Sequence, residues 1–141
     1  MGKTPLYEGW FHYNEKLRSI SIVIPAYNEE KRLPGTLDAV LRFVKSRDWD
    51  EVEVLVVNDG SRDGTAELVR SYGRDHGEVR LLENPGNRGK GYSVRHGMLE
   101  ARGEWRLFTD ADLSAPIEEL PKLFETAQRE EIGRASCRER G

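Results

Sequence analysis

The chain has 141 residues, 37% hydrophobic and 33% charged, with a net charge of −3. Such a composition reads as a soluble globular chain. It lacks the basic excess of a nucleic-acid binder and any apolar run near the ~20 residues of a membrane span.

Residues 1–18 form a leader without the apolar centre of a signal peptide, and its Trp10, Phe11 and Tyr13 read as packing residues. Residues 19–25 then carry Ile20, Ile22, Val23 and Ile24 before Pro25. A near-continuous apolar run suits a strand of a parallel sheet covered on both faces. Leu33, Leu37, Val40, Leu41 and Val44 recur at helical spacing, with Pro34 in the first turn. Residues 51–57 form a second strand, broken by Asn58-Asp59-Gly60-Ser61. A helix follows over 65–76, with Asp63 as its expected N-cap and Ala66, Val69 and Tyr72 facing inward. Residues 79–82 are a short third strand, and Asn84-Pro85-Gly86-Asn87 is a loop. The spacing predicts a third helix over 90–102, ended by Gly103, and a fourth strand over 105–109. Pro116 opens a last helix carrying Ile117, Leu120, Phe124 and Ala127.

The final residues, 131–141, have no hydrophobic period and resemble a translated sequencing adapter. The expected organisation is therefore a leader (1–18), one α/β unit (19–130) cut short of its second half, and an artefactual tail (131–141). The tail carries one net positive charge, which leaves −4 for the rest, and it holds the only cysteine, Cys137. Zinc clusters and cysteine nucleophiles are excluded for the remainder.

Alternating strands and helices predict a doubly wound, mostly parallel sheet, whose ligands bind beyond the carboxyl ends of the strands. Three polar clusters fall at such ends: Pro25-Ala26-Tyr27-Asn28-Glu29, Asp59-Gly60-Ser61 and Asp110-Ala111-Asp112. Asp110 and Asp112 are two apart on an extended chain and point to one side. Two hard oxygen donors with substrate phosphates suit Mg²⁺ or Mn²⁺. Alone, the pair reads more readily as turn and cap residues; its convergence with the other clusters reverses that and favours a site.

The remaining motifs divide. The stretch from Asp59 to Gly64 has a calcium-loop look, but the twelfth position is Arg70, not Glu, which rejects that reading. Asp59 itself can accept hydrogen bonds from a base N–H or a ribose hydroxyl, or simply serve the turn. Asn87-Arg88-Gly89-Lys90-Gly91 is a basic helix entrance whose backbone N–H groups and Lys90 could hold a phosphate, or a solvated loop. It is not a P-loop, with Asn84 in place of the first Gly and Gly91 after the Lys. Nor is it a dinucleotide fingerprint, since Val94 stands where Gly or Ala belongs. His12, His76 and His96 have no ligand spacing; the last two read as structural or exposed, and His12 receives no role.

Taken in order, Ser21-Ile22-Val23-Ile24-Pro25-Ala26-Tyr27-Asn28-Glu29-Glu30, Val56-Val57-Asn58-Asp59-Gly60-Ser61, Asn87-Arg88-Gly89-Lys90-Gly91 and Asp110-Ala111-Asp112 resemble a family 2 glycosyltransferase of GT-A fold, Rossmann-like. Residues 109–119 most resemble the dolichyl-phosphate β-glucosyltransferase branch, and the likeness spans about residues 19–128. The resemblance implies that Pro25, Ala26, Tyr27 and Glu29 line a base and ribose pocket, with Asp59 on the base. It places Lys90 by the diphosphate or sugar, Asp110 on nucleotide or sugar, and Asp112 on the metal. Asp110 and Asp112 become the catalytic and metal-holding pair. Asn58 stands where many members have Asp.

The implied reaction is inverting, metal-dependent transfer of a hexose from a nucleotide sugar, expected to be UDP-glucose, to a polyprenyl or dolichyl phosphate. The cofactor is Mg²⁺ or Mn²⁺, and the place is the cytoplasmic face of a membrane. The family's acceptor half falls beyond Glu130, so the chain is expected to bind donor without transferring sugar. Alternatives are transfer to a saccharide hydroxyl, or a nucleotide-binding domain without transfer. A sugar nucleotidyltransferase ranks lower: it wants a Gly-rich basic loop after strand one, where Ala26-Tyr27-Asn28-Glu29 stands.

Overall fold

The computed structural model describes residues 18–112. The leader before residue 18, the helix expected from Pro116, the stretch 113–119 of the branch motif and the tail 131–141 lie outside the described residues. Within them, chain order is β1 (Ser19–Ala26), α1 (Leu33–Lys45), β2 (Glu51–Asn58), α2 (Thr65–Asp75), β3 (Val79–Glu83), α3 (Lys90–Glu100) and β4 (Trp105–Phe108). The four strands form one parallel sheet in the order β3-β2-β1-β4.

The alternating faces of β1 explain its unbroken apolar run. Ile20, Ile22 and Ile24 pack with Val54, Val56 and Leu107 under Leu33, Leu37, Val40 and Val44 of α1 and Val69 of α2. Val23, Leu55 and Val57 point the other way, toward Ala101 and Met98 around α3. Two helices thus cover one face and α3 the other. This follows from handedness: the chain moves outward from β1 to β3, then returns past β1 to add β4, so a right-handed crossover must run on the opposite face. The order reverses at β1, which puts a crevice between the carboxyl ends of β1 and β4.

Two glycines set how closely α3 and its exit approach the sheet. A Cβ on Gly97 would collide with Val23 and crowd Val57 at 3.1 Å. Gly103 was expected to end α3, but the helix stops at Glu100 with Ala101 as cap. Gly103 instead lies against β1: its N–H donates to Ser21 Oγ at 2.8 Å, and a Cβ there would stand 2.7 Å from Ser21 N. The demand for glycine is tertiary contact, not a helix end. Asp63 also differs from expectation, because Gly64 occupies the N-cap of α2. The Asp63 carboxylate still reaches the first helical residue, accepting from Thr65 N at 3.0 Å and Thr65 Oγ1 at 2.5 Å.

Candidate donor site at the carboxyl edge of the sheet

The loop after β1 is built on the loop after β2. Asn28, in the left-handed region at φ 53°, donates its N–H to Ser61 Oγ at 2.8 Å and accepts from Arg62 N at 2.8 Å. Glu29 N donates to Thr65 Oγ1 at 3.0 Å, and Glu30 Oε1 accepts from Gly64 N at 3.0 Å. These bonds satisfy the backbone of both loops and hold Tyr27 and Glu29 at the crevice. Asn58 closes its own turn by accepting from Ser61 N at 3.1 Å. Its amide donates to Glu83 Oε1 at 3.2 Å, a bond that an Asp could not make.

Asp59 is buried at 5% exposure and is the anchor of the next loop. Its Oδ1 accepts from Asn84 Nδ2 at 2.8 Å and from Arg88 N at 2.7 Å, and its Oδ2 accepts from Gly89 N at 2.9 Å. Burial by itself would raise the carboxyl pKa. The bonds from Arg88 N, Asn84 and Gly89 N, with the Arg88 charge, outweigh it and hold the pKa below the ordinary value of 3.8. Asp59 is therefore ionised at neutral pH and accepts only. Gly60, at φ 76°, permits the close approach: a Cβ there would stand 2.8 Å from Gly86 C. The expectation that backbone N–H groups of this loop hold a phosphate is corrected here for Arg88 and Gly89, whose N–H groups serve Asp59. Arg88 itself turns aside, donating from Nε to Pro85 O at 2.8 Å with its guanidinium 6.0 Å from the Tyr92 ring centre.

Lys90 opens α3 and sends its Nζ to 2.6 Å from Asp110 Oδ1. Arg32 Nη1 lies 3.4 Å from Asp112 Oδ2. Between the two carboxylates, the Ala111 carbonyl accepts from Thr36 Oγ1 of α1. Thr36 is 3% exposed, a hydroxyl within the apolar stripe of its helix. Sequence reasoning passed over it, although a Thr between Leu33 and Leu37 at a core-facing position was a visible signal.

These pieces enclose a cavity of about 290 Å³, lined by Pro25, Ala26, Tyr27, Glu29, Asp59, Lys90, Ser93, Asp110, Ala111 and Asp112. Every residue singled out from the sequence as a site residue lines it. Ser93 is an addition to the lining, and Thr36 and Asn84 hydrogen-bond to lining residues from outside it. Among the described residues no group of three or more His, Cys, Asp or Glu side chains is placed to hold a metal alone. The donor set fits a hard cation all the same. Two carboxylates share the mouth, each already drawing a cationic side chain, and Mg²⁺ or Mn²⁺ commonly completes its shell with phosphate oxygens and water. Also among the described residues, no helix is long and apolar enough to cross a membrane.

The family model described as glycosyl transferase family 2 matches residues 21–137. The chain belongs to that family. Its match begins in β1 and runs seven residues into the stretch read from sequence as a foreign tail. Dolichyl-phosphate beta-glucosyltransferase of Drosophila melanogaster is 46% identical over 110 residues, covering 74% of this chain and 34% of that protein. The human protein of the same name is 37% identical over 117 residues, covering 79% and 36%. The chain thus spans about a third of the length of the curated relatives it matches. Among solved structures, mannosyltransferase PcManGT from Pyrobaculum calidifontis, in complex with GDP-Man and Mn²⁺, is 28% identical with a TM-score of 0.58, covering 77% of this chain and 35% of that one. Glucosyl-3-phosphoglycerate synthase from Mycobacterium tuberculosis, in complex with Mn²⁺, UDP and glucosyl-3-phosphoglycerate, is 26% identical with a TM-score of 0.61, covering 87% and 43%. The family 2 chain therefore has the Rossmann-like GT-A fold, and relatives with that fold carry a nucleotide with Mn²⁺.

Proposed function

We propose that the cavity is the donor site of a hexosyltransferase that takes a nucleoside diphosphate sugar, expected to be UDP-glucose. The observation that carries this is the meeting of Asp59, Lys90, Asp110 and Asp112 around one cavity at the strand-order reversal. Asp59, an ionised acceptor, suits the imide N–H of uracil or the N–H edge of guanine, and disfavours cytosine and adenine, which present a ring nitrogen acceptor there. Lys90, a cation on the cavity lining beside Asp110, would meet the diphosphate. Asp110 and Asp112 would hold Mg²⁺ or Mn²⁺, which when bound supplies charge stabilisation for the departing diphosphate.

Transfer would proceed by direct displacement with inversion. An acceptor oxygen forms its bond to the anomeric carbon as the bond from that carbon to the diphosphate breaks, and the nucleoside diphosphate leaves. A polyprenyl or dolichyl phosphate acceptor is supported by the relatives' identity over the shared third of their length. A phosphate monoester has its second pKa near ~6 and is already an anion at neutral pH, so no protein base is required. A saccharide hydroxyl would need one within hydrogen-bond reach. The full-length protein would work at the cytoplasmic face of a membrane, with a water-soluble donor and a lipid-anchored acceptor.

Titration calorimetry of the chain with UDP, GDP, CDP and ADP, with Mg²⁺ or Mn²⁺ and again with EDTA, tests the donor site. Binding of UDP that weakens at least tenfold in EDTA is the expected result. Equal affinity in EDTA, or equal affinity for CDP, would overturn the assignment.

A further inference from the structure

Four polar side chains meet at the cavity wall, Asp59 and Ser93 lining it and Asn84 and His96 behind them, and three are almost inaccessible: Asp59 is 5%, Asn84 7% and Ser93 0% exposed. Buried polar groups must find partners within the protein. Asn84 Nδ2 donates to Asp59 Oδ1 and to Ser93 Oγ, each at 2.8 Å. Ser93 Oγ in turn donates to Gly89 O at 3.0 Å. Both amide hydrogens of Asn84 are committed, so its Oδ1 is the acceptor. His96 Nδ1 stands 2.7 Å from that oxygen, which puts the imidazole proton on Nδ1. The ring thus orients the amide, and the amide holds the carboxylate. That carboxylate also takes the N–H groups of Arg88 and Gly89, and Lys90 is the next residue.

We propose that Asn84, oriented by His96, is a positioning residue that couples the base side of the donor site to its diphosphate side. The proposal rests on reading the cavity as a donor site. Its physical content is that one carboxylate has two tasks. Asp59 lines the cavity, where a base would sit, and it fixes the loop from which Lys90 reaches across to Asp110, where a diphosphate would lie. Asn84 is the only side chain among the described residues that hydrogen-bonds the Asp59 carboxylate, so losing it disturbs both ends of the nucleotide together.

The test compares wild type, Asn84→Ala, His96→Asn and His96→Leu in the 141-residue chain. Amide hydrogen exchange is followed without nucleotide, and affinities for uridine and UDP are measured in saturating Mg²⁺. In Asn84→Ala the Arg88 and Gly89 amides should exchange about tenfold faster, and the ratio of UDP to uridine affinity should fall about tenfold, the worth of one charge-assisted hydrogen bond. His96→Asn keeps an N–H donor near the Nδ1 position and should retain both properties; His96→Leu should lose them. A merely structural role would weaken uridine and UDP by one common factor. That result, or unchanged exchange at Arg88 and Gly89, overturns the proposal. If Asn84→Ala does not fold, the two His96 variants decide. A wild-type chain that binds neither uridine nor UDP removes the donor-site reading and the proposal with it, whereas binding with an unchanged ratio removes the proposal alone.

Discussion

Lys90 Nζ stands 2.6 Å from Asp110 Oδ1 and ties the first turn of α3 to the end of β4. The two residues are twenty apart in sequence and meet because α3 returns the chain across the sheet to the far side of β1. Both side chains keep solvent contact, at 60% and 34% exposure. Such a pair contributes at most ~1 kcal/mol to stability and exchanges readily for a ligand. Lys90→Gln should therefore leave the melting temperature within a few degrees, yet weaken UDP about tenfold while leaving uridine unchanged. Calorimetry with the two ligands reads this directly, and an equal loss for both would contradict it.

Thr36 and Ala111 make a second long-range contact, from α1 to the middle of Asp110-Ala111-Asp112. Thr36→Val keeps the shape and deletes the donor, leaving a buried carbonyl without it. The expected cost is about 1–3 kcal/mol in urea unfolding. If the bond also sets the two carboxylates, the gain in UDP affinity on adding Mn²⁺ should shrink in Thr36→Val. An undiminished gain would restrict Thr36 to packing.

Gly103 and Gly35 provide opposite outcomes from one substitution. Alanine at Gly103 would push a methyl into Ser21 of β1 and should cost ~2 kcal/mol or more. Alanine at Gly35, inside α1 with nothing within 4 Å of a Cβ, should stabilise by about 0.5–1 kcal/mol. Thermal melts of the two variants check the sign of each.

The depressed pKa of Asp59 has a defined sign in a pH series. In the unfolded chain the carboxyl titrates near 3.8; in the folded chain it titrates lower, so below that point the unfolded state binds more protons. Its contribution to stability is fully present well above pH 3.8 and is lost as pH falls from there through the folded value. Asp63, also lowered and held by Thr65, acts in the same direction in the same window but is exposed and counts for less. The stability gap between wild type and Asp59→Asn, followed by urea unfolding, should be wide at pH 7 and narrow below about pH 4. A gap that does not change with pH would mean the carboxylate charge is not what the loop amides hold.

The apolar run of β1, the helical spacing from Leu33 to Val44 and the glycine-rich breaks by themselves determined the elements, their order and a parallel sheet, because these are period and turn rules that act within a few residues. They also put Tyr27, Asp59 and Asp110 at strand ends, and hence on one edge. The resemblance carried by four short motifs added the family. Which hydrogen bonds those side chains make was a tertiary matter. Asp59 might have served a turn or a ligand; Asn84, 25 residues away, and the Arg88 and Gly89 amides made it the anchor of a loop. Gly103 had the look of a helix end and proved to be a contact with Ser21, 82 residues away. Thr36 meets Ala111 across 75 residues. Local pattern carries no information about such partners: a buried polar atom is satisfied by whichever group the packed sheet brings within about 3 Å, and that is settled only when α3 crosses to the other face.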